Sequence, residues 1–132
     1  AENIRLISGL LQSVEVWCGD YSECAGFIDN NTFVYIDPPY RPLSETSSFT
    51  SYAKTEFGDE QQIQLGHFIE KISYKGAKVV ASNSDPKNTD ENDNFFDDIY
   101  KMFTINRVAA TRMINSNSKG RGTISELLIC NY

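Results

Sequence analysis

The chain has 132 residues, of which 40% are apolar, 12% aromatic and 23% charged, a composition typical of one soluble globular domain. A domain of this length buries roughly two thirds of the surface its unfolded chain exposes, so it needs no disulfide or metal to explain a fold. Its three cysteines, Cys18, Cys24 and Cys130, lack C-x-x-C spacing, which argues against a disulfide framework and a zinc site. No apolar run reaches the length of a membrane span. We therefore expect a cytoplasmic protein with reduced thiols, no metal and no membrane partner.

The charges are unevenly distributed. With 12 basic and 18 acidic residues the net charge is −6. The segment Lys101–Gly122 has no acidic residue and carries +5, which leaves −11 for the rest of the chain. The preceding segment Asp85–Asp98 holds six acidic residues and one lysine. This asymmetry predicts a cationic face for an anionic partner, with ordinary solvated surface as the alternative.

The first part of the chain predicts a helix followed by two strands. Apolar residues from Ile4 to Val14 have helical spacing and lead into a β-prone segment, Val14–Cys18, that stops at Gly19. Thr32–Ile36 is a nearly continuous β-branched and aromatic run, typical of a strand buried on both faces of a parallel sheet.

The pattern after Asp59 predicts a second helix. Asp59 is an N-cap candidate with Gln62 three residues later, and Gly76 stands where the helix would end. The apolar stripe between them has spacing i, i+3, i+4, i+7. Its members are Leu65, Phe68, Ile69 and Ile72.

The remaining elements complete an α/β pattern. Ala77–Ser82 predicts a strand and Phe95–Tyr100 a short helix, and two final strands, Phe103–Ala109 and Thr123–Asn131, are joined by a basic loop. Strands alternating with helices predict an α/β domain with a mostly parallel sheet, and the last pair predicts an antiparallel hairpin.

Three polar clusters follow predicted strands: Gly19–Tyr21, Asp37–Tyr40 and Ser82–Asn83. Ligands of open α/β sheets bind at the carboxyl ends of the strands, so these clusters are expected to face one crevice. The alternative for Ser82–Asn83 is a simple polar turn.

The sequence Asp37-Pro38-Pro39-Tyr40 has the chemistry needed to hold an amino group. Each proline fixes φ near −65° and lacks an N–H, so the turn is stiff and presents acceptors without competing donors. The Asp37 carboxylate and the Pro38 carbonyl would accept the two hydrogens of one exocyclic amine and stabilise the positive charge that develops when its nitrogen attacks. Tyr40 would stack on the base. The alternative is a rigid loop in which Asp37 is a cap.

Asp-Pro-Pro-Tyr directly after an apolar strand resembles the signature of S-adenosylmethionine-dependent methyltransferases that act on adenine N6 or cytosine N4. The order of further blocks is similar to the carboxyl-terminal half of the DNA adenine methylase (Dam) family. These blocks are Gly19–Tyr21, Phe33–Tyr40, Arg41–Tyr52, Ser82–Asn83 and Arg121–Tyr132. The resemblance implies a Rossmann-like, S-adenosylmethionine-dependent methyltransferase fold that takes no metal.

The resemblance also implies roles for single residues around the turn. Asp37 and Pro38, followed by Pro39, would hold the adenine N6 amino group, and Tyr40 would stack on the flipped base. Asp20 and Tyr21, together with Asp37, would bind the cofactor. For Asp20 the alternative is a helix cap.

Five further residues would contact DNA by the same resemblance. Two aromatic residues would close the pocket or touch the DNA backbone, and three cations in the last loop would approach the flipped nucleotide and phosphates. The alternatives are ordinary loop packing and a solvated hairpin loop. The residues are Phe49, Tyr52, Arg112, Lys119 and Arg121.

The sequence lacks two segments that the resemblance leads one to expect: a Phe-x-Gly-x-Gly cofactor loop and a target-recognition segment ahead of the Asp-Pro-Pro-Tyr strand. We therefore expect residues 1–132 to be the carboxyl-terminal part of a methyltransferase catalytic domain, inactive without its amino-terminal half and with an uncovered apolar face. The whole enzyme would methylate adenine N6 in double-stranded DNA in a prokaryotic or phage-type cytoplasm, with GATC as the implied site. The alternatives are a cytosine-N4 methyltransferase and a noncatalytic nucleic-acid-binding remnant.

Overall fold

The structure, a computed structural model, describes residues 2–42, 57–111 and 123–132. Helix α1 spans Glu2–Leu11, and a short 3₁₀ helix spans Tyr21–Gly26. Strand β1 (Phe33–Ile36), helix α2 (Asp59–Tyr74) and strand β2 (Lys78–Ser84) follow. A 3₁₀ turn (Pro86–Asn88), helix α3 (Phe95–Ile99) and strands β3 (Thr104–Thr111) and β4 (Thr123–Cys130) complete the order.

The four described strands form one sheet in the order β1-β2-β4-β3. Strands β1 and β2 are parallel, with Ile36 opposite Ala81, and helix α2 lies between them in sequence. Strand β4 is antiparallel to both β2 and β3. The α/β class and the final antiparallel hairpin are thus confirmed. Only one of the three strand pairings in the described sheet is parallel, whereas the alternation of strands and helices predicts a mostly parallel sheet. The difference arises because β4 inserts beside β2.

The hydrophobic core lies between one face of the sheet and helices α2 and α3. All four residues of the predicted α2 stripe are buried, and Phe96 and Tyr100 pack beside them. Val79, Ala81, Leu127 and Ile129 supply the sheet side of this core. The carboxyl ends of β1 and β2 are therefore held against α2, which fixes the position of the segment that follows β1.

Helix α2 begins one residue earlier than its sequence suggests. Its N-cap is Gly58, whose N–H donates to Gln61 Oε1 at 2.9 Å. Gln61 therefore has the capping role predicted for Gln62, and Gln62 is buried with 1% of its surface exposed. The helix ends before Gly76, whose φ of +90° favours glycine.

Near the start of the chain, one predicted strand is absent and one predicted helix lies outside the core. The predicted strand at Val14–Cys18 is wrong, because these residues have no strand conformation and pair with no described strand. Helix α1 forms as predicted but buries no residue.

On β1, Phe33 and Tyr35 are 60% and 58% exposed on the sheet face away from α2, so an uncovered apolar face is present. None of the described helices is both long and apolar enough to cross a bilayer.

Candidate functional site

The turn Asp37–Tyr40 directly follows β1, and its first residue is anchored to the neighbouring strand. Ser82, which lies in β2 and is 4% exposed, donates from Oγ to Asp37 Oδ1 at 2.9 Å. In the part of the chain that the structure describes, no group donates to the other carboxylate oxygen, Oδ2. Asp37 therefore has one oxygen fixed by the protein and one open to a ligand.

The backbone after Asp37 is held by two buried amide side chains. Gln62 Nε2 donates to the Pro39 carbonyl at 2.9 Å, and the Arg41 N–H donates to Asn83 Oδ1 at 3.1 Å. Within the described ranges no donor reaches the Pro38 carbonyl. Because neither proline has an N–H, the turn presents two open acceptors, Asp37 Oδ2 and the Pro38 carbonyl, with no competing donor between them.

Tyr40 lies beside a cleft at the end of the sheet. The cleft has a volume of about 130 Å³ and is lined on its other sides by Tyr35, Ser82, Val108 and Glu126. Tyr40 is 38% exposed. Partial burial raises the pKa of its phenol, with smaller contributions from the carboxylates of Glu126 and Asp37. The ring is thus a neutral, partly exposed aromatic surface next to the open acceptors.

Asp20 and Tyr21 are arranged mainly by local contacts. Asp20 is the N-cap of the 3₁₀ helix, because its Oδ1 accepts from the Ser22 amide at 2.9 Å and from the Ser22 hydroxyl. These two hydrogen bonds lower the pKa of Asp20. Tyr21 packs edge-on against Phe68 of α2, with the ring centroids 5.1 Å apart. No hydrogen bond among the described residues joins this segment to the Asp37–Tyr40 turn.

Arg107, one of the five cations of the segment Lys101–Gly122, is paired with carboxylates of the protein. Arg107 donates from Nε to Asp85 Oδ2 at 3.0 Å and from Nη2 to Asp97 Oδ2 at 2.8 Å. Its charge is therefore neutralised within the protein, and the view of Arg107 as part of a free cationic face is wrong. The five predicted DNA-contacting residues, Phe49, Tyr52, Arg112, Lys119 and Arg121, lie outside the described residues.

Sequence reasoning expected Ser82–Asn83 to lie near the turn, with a simple polar turn as the alternative, but it missed Gln62 as a residue that holds the turn. Asn83 lies inside β2 with 2% of its surface exposed. Gln62 was a candidate cap. The available signal was its position, since Gln62 precedes Leu65 by three residues and so occupies the apolar stripe of α2. A polar residue on a buried stripe requires a hydrogen-bond partner.

The site contains no arrangement for a metal ion within the described ranges: no three His, Cys, Asp or Glu side chains there lie close enough to hold one. What the fold supplies at this strand end is a fixed carboxylate, an open main-chain carbonyl and an aromatic ring. These groups are able to accept hydrogen bonds from a planar amine and to stack on its ring.

Comparison with known proteins agrees with this chemistry. The sequence model described as "D12 class N6 adenine-specific DNA methyltransferase" matches residues 1–114, and the chain belongs to this family. It is 45% identical over 132 residues to Type II methyltransferase M.MjaIII of Methanocaldococcus jannaschii. The matched region covers 99% of the chain and 44% of that protein.

Two other relatives extend the comparison. The chain is 38% identical over 133 residues to Type II methyltransferase M1.LlaDCHI of Lactococcus lactis, which covers 99% of the chain and 44% of that protein. It is 33% identical over 117 residues to DNA adenine methylase of Escherichia coli, which covers 89% of the chain and 40% of that protein. The chain thus spans less than half the length of these relatives.

Proposed function

We propose that the protein containing this chain methylates the N6 amino group of adenine in double-stranded DNA, using S-adenosylmethionine, and that the Asp37–Tyr40 turn holds the amine. Family membership supports the reaction. The single observation that supports the site is a pair of acceptors, Asp37 Oδ2 and the Pro38 carbonyl, that no donor among the described residues reaches, next to the hydrogen-bonded Asp37 Oδ1 and Pro39 carbonyl.

The weak nucleophilicity of an aromatic amine determines what the turn has to do. An aromatic amine is a weak nucleophile because its lone pair is delocalised into the ring. Two acceptors that bind its two hydrogens favour a tetrahedral nitrogen and stabilise the positive charge that develops on it, as an oxyanion hole does for negative charge. Tyr40 stacks on the extruded base, which offsets part of the few kcal/mol that unstacking costs.

The residues present also fit the methyl donor. S-adenosylmethionine, when bound, supplies an electrophilic methyl group, and its transfer leaves one proton to be lost from the amine. Asp20 fits a role in holding this cofactor, because Ser22 occupies only its Oδ1, which leaves Oδ2 open among the described contacts. Tyr21, whose ring packs against Phe68 of α2, would form the side of that pocket. No metal enters this proposal.

The wider assignment includes the rest of the enzyme. We propose that residues 1–132 form the carboxyl-terminal part of the catalytic domain, that an amino-terminal half completes the cofactor site, and that the protein acts in the cytoplasm. Contacts of the five DNA-binding candidates and a GATC target remain predictions from family resemblance. Methylation of duplexes that differ only at GATC tests the target.

Replacing Asp37 by Ala in the full-length protein tests the role of the turn. Loss of one pre-organised polar group at the reacting atom lowers kcat on the order of 100- to 1,000-fold, whereas Asp98→Ala, at an exposed position on α3, leaves it unchanged. The measurement is single-turnover methylation followed by digestion of the DNA and mass spectrometry of its nucleosides. A kcat within about tenfold of wild type contradicts the role of Asp37.

Mass spectrometry of the same digested DNA distinguishes the proposed adenine methyltransferase from the two alternative functions. N6-methyladenine supports the proposal, and N4-methylcytosine replaces it with a cytosine methyltransferase that uses the same turn. DNA binding without any methylated base, in a protein that also fails to bind S-adenosylmethionine by calorimetry, identifies a noncatalytic nucleic-acid-binding module.

A further inference from the structure

The feature that carries a further inference is a chain of hydrogen bonds behind the Asp37–Tyr40 turn. The Arg41 N–H donates to Asn83 Oδ1 at 3.1 Å, Asn83 Nδ2 donates to Gln62 Oε1 at 3.1 Å, and Gln62 Nε2 donates to the Pro39 carbonyl at 2.9 Å. These hydrogen bonds start at Arg41, directly after the turn, and end at Pro39 within it, and we call them the amide relay.

The amide relay is buried and has one direction. Gln62 and Asn83 are 1% and 2% exposed, so water does not replace their partners. Each amide accepts with its oxygen and donates with its nitrogen, and aligned bonds of this kind strengthen one another in a low-dielectric interior. A carboxamide suits these positions because it accepts on one atom and donates from another without ionising.

The relay also explains which carbonyl stays open. The turn has two successive proline carbonyls, and Gln62 takes only that of Pro39. Ser84 Oγ donates to the Arg41 carbonyl at 2.7 Å and fixes the far end of the segment. The backbone on the carboxyl side of Pro38 is therefore held at three polar groups, the Pro39 carbonyl and the N–H and carbonyl of Arg41, which leaves the Pro38 carbonyl fixed in position and without a described donor.

From this geometry we infer that Gln62 and Asn83 are positioning residues for methyl transfer: they orient the Pro38 carbonyl toward the amine and touch neither substrate nor cofactor. The inference rests on the proposed function. A displacement of about 1 Å of a group that binds a reacting atom costs on the order of 100-fold in rate, so a loosened turn should lower kcat more than it weakens DNA binding.

The first test replaces Gln62 by Met, which is similar in size and apolar, in the full-length protein. The matched control is Gln64→Met on the exposed side of the same helix. We expect kcat to fall 10- to 100-fold with KM for DNA within about threefold, in a variant that circular dichroism shows to be folded at the assay temperature. Equal kcat in both variants overturns the inference.

A second variant, Gln62→Glu, tests the direction of the relay. A protonated Glu retains a donor for the Pro39 carbonyl, and an ionised Glu has none. Burial raises the pKa of such a carboxyl group into the working range of pH. Activity relative to wild type should therefore fall as pH rises from about 6 to 8.5. The control Gln61→Glu keeps its acceptor for the Gly58 N–H and should show a flat ratio; a flat ratio in Gln62→Glu contradicts the relay.

Hydrogen exchange at the Arg41 amide tests the relay independently of activity. Loss of the Gln62 amide frees Asn83 to rotate, so the Arg41 N–H should exchange at least tenfold faster in Gln62→Met, while Gln64→Met leaves it unchanged. If the Arg41 amide exchanges faster in Gln62→Met but the wild-type protein has no methyltransferase activity, the relay is supported and the proposed function is refuted. Unchanged exchange refutes the relay, whatever the activity.

Discussion

Two arginines in this chain each bind a pair of aspartates, and the two clusters differ in burial. Arg41 follows the Asp37–Tyr40 turn and contacts Asp59 at 2.8 Å and Asp93 at 2.7 Å, with its guanidinium 4.3 Å from the centroid of the Phe95 ring. Asp59 retains 54% of its side-chain exposure and Asp93 27%. Water is therefore available to replace either partner.

The Arg107 cluster contains a carboxylate that water does not reach. Asp85 is 1% exposed and accepts from Arg107 Nε at 3.0 Å and from Ser125 Oγ at 2.6 Å. Its other oxygen accepts from the Lys87 N–H at 3.2 Å. This cluster ties the end of β2 to both strands of the hairpin. The comparison teaches that equal numbers of ion pairs contribute unequally, because a buried carboxylate has no alternative partner.

The largest effect should follow from Asp85→Ala. The substitution leaves Arg107 Nε without its acceptor and removes the closer of the two acceptors of Ser125 Oγ, so we expect the free energy of unfolding to fall by about 3 kcal/mol. Urea unfolding of the full-length protein measures it, with the exposed Asp98→Ala as the control. Similar losses in the two variants would show that burial does not distinguish Asp85.

A smaller loss is expected from Arg41→Met, which keeps a chain of similar length against Phe95 but removes the charge. The exposed partners recover water, so the expected cost is about 1–2 kcal/mol. Replacing Asp59 by Asn, at the most exposed position of the cluster, should cost under about 1 kcal/mol. Urea midpoints rank the variants, and an Arg41→Met loss as large as that of Asp85→Ala would remove the difference between the clusters.

The smallest effect is a change in acid sensitivity. Partial burial acts to raise the pKa of Asp93, but hydrogen bonds from Arg41 and the Phe95 amide outweigh it and hold the pKa below its usual 3.8. The unfolded chain therefore binds this proton more readily, so the stabilisation is complete above about pH 5 and is lost as pH falls through the folded pKa. Arg41→Met should lose less stability than wild type between about pH 5 and 3. Urea titrations of both proteins at about pH 5 and pH 3 measure this difference. Equal losses of unfolding free energy in wild type and Arg41→Met would contradict the prediction.

Sequence reasoning succeeded where the physical signal is local. The β-branched run before Asp37 predicts β1, and the stripe from Leu65 to Ile72 predicts α2, because both elements are visible in the spacing of apolar residues. The predicted burial of β1 on both faces is wrong, because Phe33 and Tyr35 are 60% and 58% exposed. The stiffness expected of the Asp37–Tyr40 turn follows from its two prolines. These features position the open acceptors that the structure shows.

The relationships that it missed join residues far apart in sequence. Gln62 and Asn83 look like a cap and a turn until α2 and β2 bring them together at 3.1 Å. Arg107 looks like a free cation because its partner Asp85 lies 22 residues away. The segment Val14–Cys18 has strand composition, yet a strand also requires a neighbour to pair with, and composition does not supply one.

The strand order β1-β2-β4-β3 bears on how the site assembles during synthesis. Strand β2 lies between β1 and β4, and β4 is the last strand of the four to leave the ribosome. Until Cys130 has emerged, β2 lacks its second neighbour and the end of β2 that carries Ser82 and Asn83 is incompletely paired. Pairings across such sequence separations form slowly. The Asp37–Tyr40 turn is therefore expected to become rigid late, after most of this chain has been translated.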